Sequence, residues 1–116
     1  MNPNVVNAAK EHDLSFIPGV LTPSDIEEAL EHDLHTLKFF PAVPSGGGAM
    51  LKALIAPYKH REVKFIPMGG INIDNMNDFL ALEQVLAVGG SFLAPGDLMN
   101  RGDFYKIGKI IEQATS

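Results

Sequence analysis

The sequence predicts an α/β domain built on a parallel sheet. Three observations carry this. One unit, a short apolar run closed by proline or glycine and followed by a segment of helical period, occurs four times. The runs barely alternate between polar and apolar residues, which suits strands covered on both faces. The 116 residues, 46% hydrophobic and 20% charged, make one domain with an average globular composition.

The runs are Ser15 to Pro18, Thr36 to Pro41, Val63 to Pro67 and Val85 to Pro95. Their prolines, at 18, 41, 67 and 95, mark strand ends, because proline cannot donate to a ladder. An opening helix is expected over Val5 to His12. After the first run, Thr22-Pro23-Ser24-Asp25 supplies an N-cap with proline at the first helical position, and Ile26, Ala29, Leu30 and Leu34 share a face. After the second, Leu51, Leu54, Ile55 and Tyr58 follow helical spacing. After the third, Asp74 or Asn75 caps a short helix carrying Met76, Phe79 and Leu80. The last helix starts near Asp103 and aligns Ile107, Ile110, Ile111 and Ala114. Run starts lie roughly 21 to 27 residues apart, close to the ~30 residues of a βα unit. A flavodoxin-like open sheet and a consecutive stretch of a (β/α)₈ barrel share this rhythm, and periodicity does not separate them.

Nine Lys and Arg against 14 Asp and Glu give a net charge of -5, without a basic cluster. That argues against nucleic acid and against an electrostatic membrane anchor. No cysteine is present, so disulfides, thiolate metal sites and a cysteine nucleophile are excluded. The apolar stretches at Ala53 to Pro57 and Gln84 to Ala94 are too short or too glycine-broken to span a bilayer. The start, Met1-Asn2-Pro3-Asn4, does not read as a signal peptide, so a cytoplasmic location is expected.

Lys38, inside Leu37-Lys38-Phe39-Phe40-Pro41-Ala42, is the first candidate for chemistry. A lysine buried in an apolar strand has a depressed pKa and can attack a ketone to form a Schiff base. The plainer reading is a strand-edge lysine whose ammonium reaches water, the reading assigned to Lys64. The glycine turns Met68-Gly69-Gly70-Ile71 and Gly89-Gly90-Ser91 are candidate phosphate cradles; the plainer reading is that glycine satisfies unusual backbone angles. Gly46-Gly47-Gly48 reads as a flexible loop before a helix. His12, His32, His35 and His60 read as surface residues without metal-ligand spacing. Asp25, Glu27, Glu28 and Glu31 read as a solvated helix face, and no carboxylate stands out as a general base.

In order, Phe16-Ile17-Pro18-Gly19-Val20, Lys38-Phe39-Phe40-Pro41-Ala42, Pro67-Met68-Gly69-Gly70-Ile71 and Val88-Gly89-Gly90-Ser91-Phe92 resemble the C-terminal half of the 2-keto-3-deoxy-6-phosphogluconate (KDPG) and 4-hydroxy-2-oxoglutarate (KHG) aldolase family. The resemblance runs along the whole chain to Gly102-Asp103-Phe104. It implies a (β/α)₈ TIM barrel of which residues 1–116 supply about the last four βα units, as one domain. It implies a class I aldolase of the Entner–Doudoroff route that cleaves KDPG to pyruvate and glyceraldehyde 3-phosphate, and KHG to pyruvate and glyoxylate. Lys38 is then the Schiff-base lysine on the sixth strand. Phe40 lines the pyruvyl pocket, and Gly69, Gly70 and Ser91 bind the substrate phosphate. Pro18 and Gly19 close the fifth strand at the rim. No metal or cofactor is implied, and the assembly is a homo-oligomer, a trimer in the family. Met68, a further substrate-contacting position, stands where the family usually has threonine, so a hydroxyl near the pyruvyl carboxylate is lost and substrate preference is expected to change. The family's general-base glutamate and carboxylate-binding arginine lie on early strands, before the stretch this chain resembles. The alternative expectation is therefore an inactive truncated fragment serving at most as a binding or assembly module. A flavodoxin-like phosphate binder is a third, weaker reading.

Overall fold

A computed structural model describes residues 1–116. Its α-helices are α1 (Pro3–Glu11), α2 (Pro23–Glu31), α3 (Gly47–Ile55), α4 (Met76–Leu80), α5 (Gly96–Arg101) and α6 (Phe104–Thr115). Its strands are β1 (Gly19–Val20), β2 (Thr36–Phe39) and β3 (Lys64–Pro67), with 3-10 turns at Ala56–Arg61 and Ser91–Leu93. The three strands are parallel and lie in the order β1-β2-β3. Register pairs Gly19 with Lys38 and Lys38 with Ile66.

Burial separates the two faces of this sheet. Leu37, Phe39 and Phe65 are completely buried against helix residues such as Ile26, Leu51 and Phe79. Thr36, Lys38, Lys64 and Ile66 alternate with them and stay half-exposed on the other face. Strands in sequential order with helices over one face form an arc of a (β/α)₈ barrel; a doubly wound sheet reverses its strand order and carries helices on both faces. The architecture is therefore a half-barrel, and its uncovered face corresponds to a barrel lumen. No helix is long and apolar enough to cross a membrane.

Local chemistry explains the helix boundaries. Thr22 Oγ1 accepts from the Asp25 amide at 3.3 Å, while Asp25 Oδ2 accepts from the Leu21 and Thr22 amides at 2.8 and 2.9 Å, closing a capping box around Pro23. The Leu21 amide, with the other bonds to Thr22, holds the Asp25 carboxyl below its usual range despite partial desolvation. Asp25 is thus a cap rather than part of a merely solvated acidic face. Glu27 also departs from that expectation, because the Tyr58 hydroxyl donates to its Oε1 at 2.9 Å, with the Pro23 carbonyl at 3.3 Å. The tetrapeptide Glu-His-Asp-Leu ends both α1 and α2. Asp13 and Asp33 adopt left-handed φ values of 53° and 59°, and the amides of Leu14 and Leu34 reach back to the Ala9 and Ala29 carbonyls at 2.8 and 3.0 Å. This satisfies helix-end carbonyls as a Schellman turn does, with aspartate in the place usually held by glycine.

Several elements depart from the sequence expectation. The first strand is Gly19–Val20, after Pro18 rather than before it. The Pro18 carbonyl accepts from the Lys38 amide at 2.8 Å, so this proline opens the strand, a position that needs no donor. The fourth run is not a regular strand. It touches β3 only at the bridges Phe65–Val85 and Met68–Gly89, and from Ser91 it coils into a 3-10 turn. It has a neighbour on one side alone and two glycines at its end, so little holds it extended. α3 begins inside the triple glycine, at Gly47, and α5 was not anticipated. On α6 only Ile107 is buried, and Ile111 remains 43% exposed.

Candidate active site

Lys38 follows from strand alternation. Leu37 and Phe39 must point into the helix-covered core, which turns Lys38 and then Phe40 to the open face. Lys38 Nζ stands 4.6 Å from the centroid of the Phe40 ring, a cation–π distance. The expected apolar burial of this lysine is not met. It is half-exposed, because nothing covers the lumen face on which it stands. Phe40 is joined to Pro41 by a cis peptide and is 49% exposed.

Beyond the end of β3, pairing continues through the turn that follows β2. The Ala42 amide donates to the Met68 carbonyl at 2.8 Å and the Val43 amide to the Gly69 carbonyl at 3.0 Å. Glycine is needed here for space and angle together. Gly69 has φ +100°, and a Cβ on it would meet Pro41 Cα at 3.1 Å and the Ala42 nitrogen at 3.2 Å. Gly70 has φ +76°, and its Cβ would meet Val43 Cβ at 2.8 Å. Met68 lies across Gly89, where a Cβ would come within 2.6 Å of its Cε.

These segments line an open cleft of about 690 Å³, a size typical of small-molecule sites. Lys38, Phe40 and Met68 line it together with Gly69, Gly70, Gly90 and Ser91. The amides of Gly69, Gly70, Gly90 and Ser91 donate to no other group of the chain. Unpaired amides gathered at a turn suit an anion. Lys38 and Ser91 are the only polar side chains in the lining, and no carboxylate or histidine is among them. No cluster of three His, Cys, Asp or Glu side chains able to hold a metal ion occurs.

The structure therefore gathers every candidate residue except Pro18 and Gly19. The Pro18 side chain is fully buried, on the face that Val20 shares, and neither residue lines the cavity. Ile71 and Gly89, members of the two glycine turns, line it as well, and Phe92, Pro95 and Gly96 line it without having been singled out for it. Pro95 and Gly96 were detectable in principle, since Pro95-Gly96-Asp97 combines a proline cap with an acidic first turn. The histidines lie outside the cavity; His35 Nε2 is 3.2 Å from Asp33 Oδ1, and Nδ1 is 3.3 Å from the Arg61 carbonyl.

Comparison with known proteins agrees with this geometry. The family described as KDPG and KHG aldolase matches residues 1–110. The 2-dehydro-3-deoxy-phosphogluconate aldolase of Treponema pallidum (strain Nichols) is 40% identical over 112 residues, which are 97% of this chain and 52% of that protein. The KHG/KDPG aldolase of Escherichia coli (strain K12) is 39% identical over 110 residues, 95% of this chain and 51% of that one. A crystal structure of KDPG aldolase from Legionella pneumophila, with pyruvate captured at low pH as a covalent carbinolamine intermediate, superposes with a TM-score of 0.88 at 34% identity, over 95% of this chain and 52% of that one. The chain spans about half the length of the curated relatives it matches. Matched by the family model over residues 1–110 and by these relatives along nearly its whole length, the chain belongs to the KDPG and KHG aldolase family.

Proposed function

We propose that residues 1–116 supply the nucleophile wall and the anion rim of a class I aldolase acting on KDPG, and on KHG in the same manner. The carrying observation is that one cavity holds a single lysine beside an aromatic ring, with four unpaired amides in the same lining.

In this reading the uncharged amine of Lys38 adds to the 2-oxo carbon. Loss of water from the carbinolamine leaves a protonated imine. The imine accepts the electron pair as the bond between C3 and C4 breaks, while the C4 hydroxyl loses its proton and leaves as the aldehyde. The enamine takes a proton at C3, and hydrolysis frees pyruvate and the lysine. Phe40 packs against the pyruvyl group, and the amides of Gly69, Gly70 and Ser91 receive the phosphate of the glyceraldehyde 3-phosphate portion. Met68 brings a thioether, which donates no hydrogen bond to the substrate. No carboxylate in the lining moves the proton. A positioned base contributes about 10² to 10⁴ in rate, so this chain alone is expected to form the imine but to turn over more slowly than a full-length relative by about that factor.

Borohydride reduction in the presence of pyruvate tests the reading. The expected product is one reduced pyruvyl adduct, located by peptide mass at Lys38. Lys38→Arg abolishes it, and Lys64 stays unmodified. A sample with native far-UV circular dichroism that gains no adduct at Lys38 overturns the proposal.

A further inference from the structure

Successive peptide units in the turn after β3 are all held in the same way. The Met68 carbonyl accepts from the Ala42 amide at 2.8 Å, and the Gly69 carbonyl from the Val43 amide at 3.0 Å. The Gly70 carbonyl accepts from Asn75 Nδ2 at 3.0 Å. The amides of the same units, on Gly69, Gly70 and Ile71, donate to no group of the chain. These units are trans, because the cis bond of the chain joins Phe40 to Pro41. A planar trans unit points its N–H away from its C=O, so fastening the carbonyl also aims the amide. Gly69, Gly70 and Ile71 line the cleft and Asn75 does not, so the last of these carbonyls is fastened from behind the wall.

That last fastening is made by a side chain with another use close by. Asn75 stands immediately before α4, where asparagine ordinarily caps a helix, yet its side chain makes no cap bond there. It reaches back instead. While Nδ2 holds the Gly70 carbonyl, Oδ1 accepts from the Asn72 amide at 2.8 Å. One carboxamide therefore aims the Ile71 amide and occupies the next amide in line, which ends the free series at Ile71. The approach to α4 is served by Asn72, whose Oδ1 accepts from the Asp74 and Asn75 amides at 2.9 and 3.1 Å. Asn75 has a firm base, since Met76 and Phe79 after it are buried in the core. Gly70, at φ +76°, has the backbone freedom of glycine, and the unit that follows it turns easily unless something outside the turn holds it.

We propose that Asn75 is a positioning residue of the anion rim, and that the Ile71 amide it aims joins those of Gly69 and Gly70 as a donor to the phosphate-bearing portion of the substrate. Consecutive free amides form a concavity suited to anionic oxygen. Without Nδ2 the Gly70–Ile71 unit rotates and the Ile71 amide leaves the series. The inference rests on the proposed anion rim and not on the chemistry at Lys38.

Inorganic phosphate titrated into the isotope-labelled 116-residue chain, followed by the NMR shifts of its amides, is the test. Borohydride trapping of pyruvate is run on the same samples. In the wild type, phosphate is expected to move the Ile71 amide together with those of Gly69 and Gly70. Asn75→Ala is expected to weaken phosphate binding by roughly two- to twelve-fold, the weight of one hydrogen bond, with the Lys38 adduct still formed. Asn72→Ala removes the bonds to the Asp74 and Asn75 amides and leaves the Gly70 carbonyl held, so it is expected to lower stability and keep the wild-type phosphate affinity. Phosphate binding by Asn75→Ala as tight as wild type, or weakened equally by Asn72→Ala, overturns the proposal. Should Asn75→Ala lose its circular dichroism, the wild-type titration decides, and an Ile71 amide that stays in place while Gly69 and Gly70 move overturns it. A wild type without any phosphate shift overturns this inference and the anion rim together. A missing pyruvate adduct beside the expected phosphate shifts supports this inference while refuting the Lys38 nucleophile.

Discussion

Gly69→Ala and Gly108→Ala make the same chemical change and are expected to act in opposite directions. Gly69 holds φ +100°, and the added methyl would stand 3.1 Å from Pro41 Cα, 3.2 Å from the Ala42 nitrogen and 3.2 Å from Phe40 Cδ2. The phenyl ring can yield, but the two backbone atoms belong to the turn tied down by the Ala42 and Val43 amides. A left-handed angle costs a side-chain-bearing residue about 1–2 kcal/mol, and overpacking adds roughly 1–3. The loss of about 2–5 kcal/mol lowers the folding constant by roughly thirty-fold to several-thousand-fold. With a urea slope of about 1–3 kcal/mol per molar, the midpoint falls by roughly 0.7–5 M. Gly108 sits inside α6 with nothing within 4 Å of an added methyl and no unusual angle. Alanine there should raise stability by about 0.5–1 kcal/mol. Urea unfolding at one fixed protein concentration reads both changes. A Gly69→Ala midpoint within experimental error of wild type, or both midpoints moving the same way, contradicts the account. Because the displaced turn carries Phe40, the Gly69 variant should also trap less pyruvate at Lys38.

Two further predictions concern titration. The Asp25 pKa is lowered in the folded chain by the Leu21 amide first. Its contribution is therefore fully present above the unfolded carboxyl value of about 3.9 and is lost as pH falls through the lower folded value. Asp25→Asn should flatten the acid limb of a stability-versus-pH curve while costing about 0.5–1 kcal/mol near neutrality; an unchanged acid limb counts against the capping role. The Tyr58 pKa is raised, mainly by desolvation and then by its bond to Glu27. Its contribution is complete below the unfolded value of about 10 and is lost as pH rises through the higher folded value. Tyr58→Phe should cost roughly 1 kcal/mol and remove the alkaline loss, read by thermal melts across that range. A variant as sensitive to alkali as wild type would point to another group.

How much of this was legible depended on the range of the interactions involved. Helix starts were readable where the cap lies within four residues, as at Thr22 to Asp25 and at Asp103, whose carboxylate accepts from the Lys106 amide. The core face of α3 was readable because Leu51, Leu54 and Ile55 are buried on it, with Tyr58 continuing the stripe into the 3-10 turn that follows. Lys38 was visible as a charge interrupting an apolar run. The fourth run was misread because its composition suits a strand while its extension depends on a neighbour at the far edge. The choice between a buried and a water-reaching Lys38 stayed open for the same reason, since no local pattern reports whether a sheet face is covered. The periodicity of α6 was correctly read, but periodicity does not say whether a helix face is covered, and most of that stripe is open here. The glycines at 69 and 70 combine both readings offered for them. Left-handed angles and close contacts require glycine, and the turns so formed leave the amides free.

Each strand of the sheet pairs with the strand that follows it in the chain. Contacts are therefore short in sequence separation, and every βα unit can dock on the one just before it as synthesis proceeds. Such a chain does not wait for a distant segment to begin its core. The layer between helices and sheet is assembled cumulatively, each unit docking on a surface that the unit before it has already formed.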